Sequence, residues 1–199
     1  MYSYYSFGEK AKNIYAVILT KIFFKKARLI RRPYYIRNKK NIQFGNNFTS
    51  GYNLRLEASN NETSLIFGNN VIIGDYCHIV GRKRLIIGDN TLIASRVFIS
   101  DTSHGSYSAI NGDNPNTNPN QRKLYYEDVI IGCNVWIGEN VSILSGVTIG
   151  NGCIIGANSV VTKSFPDNCI IAGNPAKIIK IYSNKINGWK EVKNSEVVE

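Results

Sequence analysis

Between Ile131 and Val161 this chain repeats every six residues. Ile131, Ile137, Ile143, Ile149, Ile155 and Val161 are all β-branched, and Gly132, Gly138, Gly150 and Gly156 follow four of them. Leu144 and Thr162 take the glycine position in the other two. An amphipathic helix repeats at about 3.6 residues and a lone strand at about 2, so neither accommodates a strict six. A coil with flat faces does: each face takes one hexapeptide, the branched residue points inward and the small residue turns the corner. The same register runs earlier, through Phe67-Gly68, Ile73-Gly74 and Ile79-Val80. After a two-residue slip it continues through Ile87-Gly88, Ile93-Ala94 and Ile99-Ser100, and Phe44-Gly45 reads as an imperfect opening rung. The pattern predicts an all-β solenoid in which each coil covers its neighbour. It lapses between Ile99 and Ile131, where residues 101–127, rich in Asn, Ser and Pro, read as a loop excursion from the coil. Loops of that length in a compact domain are usually functional or disordered.

The formal charge of +10 arises from 24 Lys and Arg against 14 Asp and Glu. Its location argues against nucleic-acid binding, because residues 1–40 hold eleven of the basic residues and one acid, Glu9, while residues 41–199 carry thirteen of each sign. No nucleic-acid-binding motif accompanies it. The expected organisation is a basic N-terminal helical segment over 1–40, a solenoid domain over 41–181, and a tail or short helix over 182–199. The helix is predicted from about Ala11 to Ile30, with Ile14, Val17, Ile18, Leu19, Ile22 and Phe23 among Lys21, Lys25, Lys26 and Arg28. Its longest apolar run, Ile14 to Leu19, is far below the roughly 20 residues that span a bilayer. No small-x-small cleavage site follows it, which argues against a secretory signal. Two readings stay open: a basic amphipathic helix resting on an anionic membrane face, or one packed on the end of the coil. The four cysteines, Cys77, Cys133, Cys153 and Cys169, form no C-x-x-C pair and are expected to be reduced structural thiols in the cytoplasm.

Two histidines exist. His78 lies inside the repeat and reads as a coil-face residue. His104 lies in Asp101-Thr-Ser-His-Gly105, where the repeat breaks, and an imidazole there can reach a groove while the coil holds its backbone. Two histidines in dissimilar settings and scattered cysteines do not supply a zinc ligand set, so no metal is expected.

The hexapeptides, the loop entry Ser100-Asp-Thr-Ser-His-Gly105, the stretch Val129–Gly138, the run Ile155–Lys163 and the ending Ile171–Ile179 together resemble the hexapeptide-repeat acyltransferases. Pro33–Asn38, Phe48–Gly51 and Leu92–Asp101 resemble most the lipopolysaccharide and capsule O-acetyltransferases. The resemblance covers about residues 33–181. It implies a left-handed parallel β-helix of triangular section, a homotrimer with sites between adjacent prisms, and acetyl-CoA as acyl donor to a saccharide. His104 then matches the catalytic histidine, a general base taking the proton of a sugar hydroxyl as its oxygen attacks the thioester in a ternary complex. Trp136 matches a tryptophan beside the pantetheine end or the acceptor. Ala157, Thr162 and Lys163 match positions along the CoA arm, and Lys177 and Lys180 match basic positions near its phosphates. Asp101 is assigned to the acceptor side or to orienting the loop. The chain departs from many relatives at Thr102, where they carry a second histidine, and at Gly74, where an acceptor-contacting asparagine falls. The leading expectation is an O-acetyltransferase acting on a cell-surface polysaccharide or its lipid-linked precursor, in the cytoplasm or peripheral to the inner membrane. The rivals are N-acetylation of an amino-sugar nucleotide and a non-enzymatic scaffold.

Overall fold

Each hexapeptide forms one short strand, and three strands complete one coil of a triangular prism. The computed structural model describes residues 5–192. Successive strands of the first face are Leu29–Ile30, Thr49–Ser50, Ile72–Ile73, Leu92–Ile93, Trp136–Ile137, Ile154–Ile155 and Cys169–Gly173. The second face stacks Tyr34–Arg37, Leu54–Ala58, His78–Gly81, Phe98–Ser100, Ser142–Ile143 and Val160–Val161. The third stacks Ile42–Gln43, Leu65–Phe67, Leu85–Ile87, Val129–Ile131 and Thr148–Ile149. Neighbouring strands within these stacks are parallel and in register, and the whole is a left-handed parallel β-helix of about 7 turns.

The inward columns are the β-branched positions of the repeat. Ile73, Ile93, Ile137, Ile155 and Ile171 line up on the first face, Ile79, Ile99, Ile143 and Val161 on the second, and Ile87, Ile131 and Ile149 on the third. None exceeds 1% exposure, so the apolar column is continuous, and its burial is the main driving force of the fold.

Glycine's role at the corners differs from the expected one. A Cβ on Gly88 would sit 2.6 Å from the carbonyl of Gly132 in the next coil, so the small residue is required by close stacking. The left-handed turn is made two residues later by asparagine: Asn70, Asn90 and Asn134 each adopt φ 57. Their side-chain amides donate to one another along the corner, Asn47 to Asn70 at 3.0 Å, Asn70 to Asn90 at 2.9 Å and Asn90 to Asn134 at 3.2 Å. Asparagine tolerates this backbone, and its amide both donates and accepts, so it extends a ladder from coil to coil.

The N-terminal helix is offset from the expected Ala11–Ile30. It runs Phe7–Phe23, opened by a capping box between Ser6 and Glu9. It stops early because Phe24, Ala27 and Ile30 close the first end of the apolar column, and Leu29–Ile30 pairs with Thr49–Ser50 as the first strand of the coil. Tyr34–Arg37 is likewise a strand of the second face. Ala16 and Thr20 are the helix's buried residues, and the Thr20 hydroxyl accepts from the Ile30 N–H at 2.9 Å.

At the other end the chain turns back. Ala176–Ser183 runs antiparallel to Cys169–Gly173, and Gly188–Glu191 runs antiparallel to Ala176–Ser183. Where a tail or short helix was expected the described part is therefore a strand; residues 193–199 lie outside the described residues, as do 1–4. The four cysteines are unpaired, and burial pushes the Cys77 and Cys169 thiols up to about 11.

Candidate active site

The excursion begins and ends as paired strands. Thr102–His104 runs antiparallel to Leu124–Tyr126, with His104 opposite Leu124, so the long loop springs from a two-stranded stem. Asp101 seats that stem. Its carboxylate is fully buried and accepts from the backbone N–H groups of Arg82 at 2.9 Å, Lys83 at 2.7 Å and Arg84 at 3.1 Å, and from the Thr102 hydroxyl at 2.9 Å. Its backbone carbonyl accepts from the Glu127 N–H at 3.0 Å and the Ser145 hydroxyl at 2.9 Å. Asp101 thus ties the preceding coil, the loop exit and the following coil together. Of its two expected roles, at the acceptor side or in orienting the loop, these bonds accord with the second, and no part of the carboxylate reaches solvent.

His104 ends the first stem strand and is exposed. The Tyr107 hydroxyl donates to its backbone carbonyl at 2.6 Å, and Arg122 donates to that same hydroxyl at 3.1 Å, so the turn after the histidine is held from within the loop. Beside the stem, against the second face, lies a cleft of about 440 Å³ lined by Phe98, Ser100, Thr102, Ser103, Ser145 and Thr162 among others. Ser103 and Gly105 line it and His104 does not.

The remaining candidates fall on other parts of the prism. Trp136 projects outward from the first face and is 51% exposed. It stands in an outward ladder, Ile72, Leu92, Trp136, Ile154, Ile170, Lys180, each residue beside the next. Trp136 and Lys180 are three strand spacings apart, about 14 Å. The register shift between Ile170 and Ile171 brings Lys177, beside Ala172, onto the same outer surface as Lys180. Lys180 also lies 3.7 Å from the Glu191 carboxylate. Ala157 occupies the exposed corner between first and second faces, and Lys163 follows Thr162 at the corner between second and third. The structure therefore brings Trp136, Lys177 and Lys180 onto one outer surface of the first face, whereas Thr162 lines the cleft beside the His104 stem and Lys163 follows it at that corner.

A further cluster was not anticipated from sequence. On the outer surface of the second face Glu57, 4% exposed, receives Arg37 at 2.9 Å, Arg55 at 2.6 Å and Arg82 at 3.0 Å, with His78 Nε2 at 3.3 Å. Burial disfavours the ionised carboxylate most strongly, yet the Arg55 hydrogen bond and charge, with Arg37 and His78, hold its pKa below the usual range. Burial, and then the Arg55 charge, push His78 below the usual imidazole value against the pull of Glu57. The signal was present in the sequence only as coil-to-coil register, Arg37 beside Glu57 and Arg55 beside His78. Among the described residues no group of three or more His, Cys, Asp or Glu is placed to hold a metal ion.

Residues 128–163 match the family described as bacterial transferase hexapeptide (six repeats). Over 176 residues the chain is 48% identical to the Escherichia coli (strain K12) protein named "Putative lipopolysaccharide biosynthesis O-acetyl transferase WbbJ", covering 88% of this chain and 89% of that one. The chain belongs to the hexapeptide-repeat acetyltransferases. Among solved members, AntD of Bacillus cereus, an N-acyltransferase in complex with dTDP and 3-hydroxybutyryl-CoA, superposes with a TM-score of 0.67 at 27% identity, covering 94% of this chain and 93% of that chain. A galactoside acetyltransferase in complex with coenzyme A superposes with a TM-score of 0.56 at 28% identity, covering 97% and 82%. Both likenesses thus span nearly the whole chain.

Proposed function

We propose that this acetyltransferase moves the acetyl group of acetyl-CoA onto a hydroxyl of a cell-surface polysaccharide or its lipid-linked saccharide precursor. The observation that carries the reading is His104, exposed on a braced stem where the hexapeptide coil is interrupted, in a chain 48% identical to a protein named for lipopolysaccharide O-acetylation. The imidazole takes the hydroxyl proton while the hydroxyl oxygen forms its bond to the thioester carbonyl carbon. The tetrahedral intermediate collapses, the carbon–sulfur bond breaks, and the leaving thiolate recovers the proton from the imidazolium. No acyl-enzyme is needed.

Trp136, Ala157, Thr162, Lys163, Lys177 and Lys180 are proposed to hold CoA, the indole against the pantetheine end and the lysines against the phosphates. Within one chain these side chains lie on different faces, so the site needs a second prism, with the first face of one copy against the His104 corner of the next. A homotrimer closes that arrangement. The N-terminal helix suits the cytoplasmic face of a membrane. Ile14, Ile18 and Ile22, 61%, 55% and 60% exposed, form an outward stripe opposite the buried Ala16 and Thr20, with Lys10 and Lys21 alongside.

Release of CoA from acetyl-CoA, with and without a polysaccharide-precursor extract, tests the reading in wild type and His104→Ala. Acceptor-dependent release that His104→Ala abolishes while CoA still binds is expected. Absence of CoA binding would overturn the enzyme reading in favour of a scaffold. The likeness to AntD favours N-acylation of a nucleotide-linked amino sugar as the second reading. A product stable to mild alkali would establish the amide over the ester.

A further inference from the structure

The convergence of Arg37, Arg55 and Arg82 on Glu57 exceeds what a structural ion pair requires. One buried carboxylate is balanced by one guanidinium, and here three leave two positive charges in surplus on the outside of a coil whose overall charge is balanced. We propose that this surface binds a phosphoryl group of the saccharide acceptor. The proposal rests on the acyl-transfer reading above and deepens it by naming the acceptor's chemistry.

Three observations point there. First, the guanidiniums are held in place but still open: the Arg37 and Arg55 side chains are 44% and 50% exposed, while Arg82 is 26% exposed. Tyr35 fixes their spread, its ring 5.6 Å from the Arg37 guanidinium and 5.5 Å from that of Arg55, and its hydroxyl accepts from Arg37 at 2.9 Å. Preorganised forks of this kind match phosphoryl oxygens in pairs and lose little freedom on binding.

Second, the patch adjoins the cleft. Arg55 stands beside His78 and His78 beside Phe98, while Glu57 stands beside Val80 and Val80 beside Ser100. Phe98 and Ser100 line the cleft, two strand spacings or about 10 Å from Arg55 and Glu57, which is room for one hexose ring and its glycosidic phosphate. The His78 and Phe98 rings, 5.5 Å apart, floor the intervening surface and offer the apolar face that a sugar ring stacks on. His78, held below the usual imidazole value, stays neutral at pH 7 and adds no charge to that floor.

Third, Arg82 joins the two regions physically. Its guanidinium pairs with Glu57 while its backbone N–H donates to Asp101, the seat of the His104 stem. A ligand on the arginines is therefore referenced to the same backbone that positions the stem.

Two surplus charges suit a dianionic phosphoryl or diphosphate better than a single sugar carboxylate. A nucleoside diphosphate sugar and a polyprenyl diphosphate sugar carry the same recognition chemistry. The test is calorimetric titration of the full chain, saturated with CoA so that its own phosphate positions are filled, with inorganic pyrophosphate. Wild type is expected to bind, and Arg37→Gln and Arg55→Gln to bind about tenfold or more weakly. Each variant leaves Glu57 two arginine partners, so thermal midpoints and CoA binding should hold. Titrations with UDP and with citronellyl diphosphate separate the sources: the one gaining most over pyrophosphate in an Arg55-dependent way identifies the carrier. Pyrophosphate that fails to bind, binds both variants as well as wild type, or is matched by acetate overturns the subsite. CoA binding without arginine-dependent pyrophosphate binding overturns the subsite alone, whereas absence of CoA binding overturns acyl transfer itself.

Discussion

Asp101 carries more of the site's architecture than any other single side chain, although it meets no solvent. In Asp101→Asn the amide would turn hydrogens toward N–H groups of Lys83 and Arg84 that now find an acceptor. A loss of about 2–4 kcal/mol is expected, a thermal midpoint lower by about 5–10 °C, with transfer falling more than CoA affinity because the stem is unseated. Trp136→Ala should do the reverse, leaving the thermal midpoint in place and raising the KM for acetyl-CoA about tenfold, since the indole stands outside the core. The Glu57 cluster makes a pH prediction. His78 has a depressed pKa in the folded chain, so the unfolded chain binds the proton first and stability falls as pH drops below 6.5. Glu57, also depressed, contributes fully above 4.5 and loses that contribution only as pH falls further. Thermal midpoints between pH 8 and roughly pH 5 should therefore decline below 6.5 in wild type and stay flatter in His78→Asn. The sequence named Asp101 and His104 correctly as loop-entry residues, but it could not say that one is buried and the other exposed. That distinction depends on the N–H groups of residues 82–84, which no side-chain pattern displays.

The strands were legible because hexapeptide periodicity is written in side chains, at Ile131, Ile137 and Ile143 and onward. The helix was legible in kind and misplaced in extent. Phe24, Ala27 and Ile30 continue an apolar spacing that suits a helix, and only the open end of the column draws them into the core instead. The stem Thr102–His104 with Leu124–Tyr126 was hidden, being two three-residue strands separated by a long polar stretch. Helix Phe7–Phe23 buries its small residues and turns its large ones outward, so substitution on the outer stripe should spare the fold. Wild type is expected to sediment with anionic phosphatidylglycerol vesicles in a salt-sensitive manner. Ile14→Glu with Ile18→Glu should abolish that at unchanged thermal midpoint, while binding that survives it would exclude the helix as the anchor.

The proposed assembly rests on where the candidate residues lie. Trp136 and Lys180 on the first face and His104 at the far corner cannot meet across their own prism, whose interior is filled by the inward columns. Sedimentation velocity should give a species of three times the monomer mass. Mixing His104→Ala with Trp136→Ala subunits should restore part of the activity, because mixed interfaces pair a sound histidine with a sound tryptophan. The proposed interface was expected only from the family resemblance, since outward residues such as Leu92 and Ile154 occupy repeat positions open to many side chains. The turned-back C-terminal strands have a consequence of another kind. A stack of parallel rungs on a 4.8 Å spacing is in effect a few layers cut from a fibre, and its last rung would template the first rung of another molecule. Here the last rung is covered by Ala176–Ser183, running the opposite way, and among the described residues the outermost strand of the first face is Gly188–Glu191, with Trp189, Lys190 and Glu191 exposed. The protein ends its own growth axis, which keeps a polymer-like architecture in the form of a discrete catalyst.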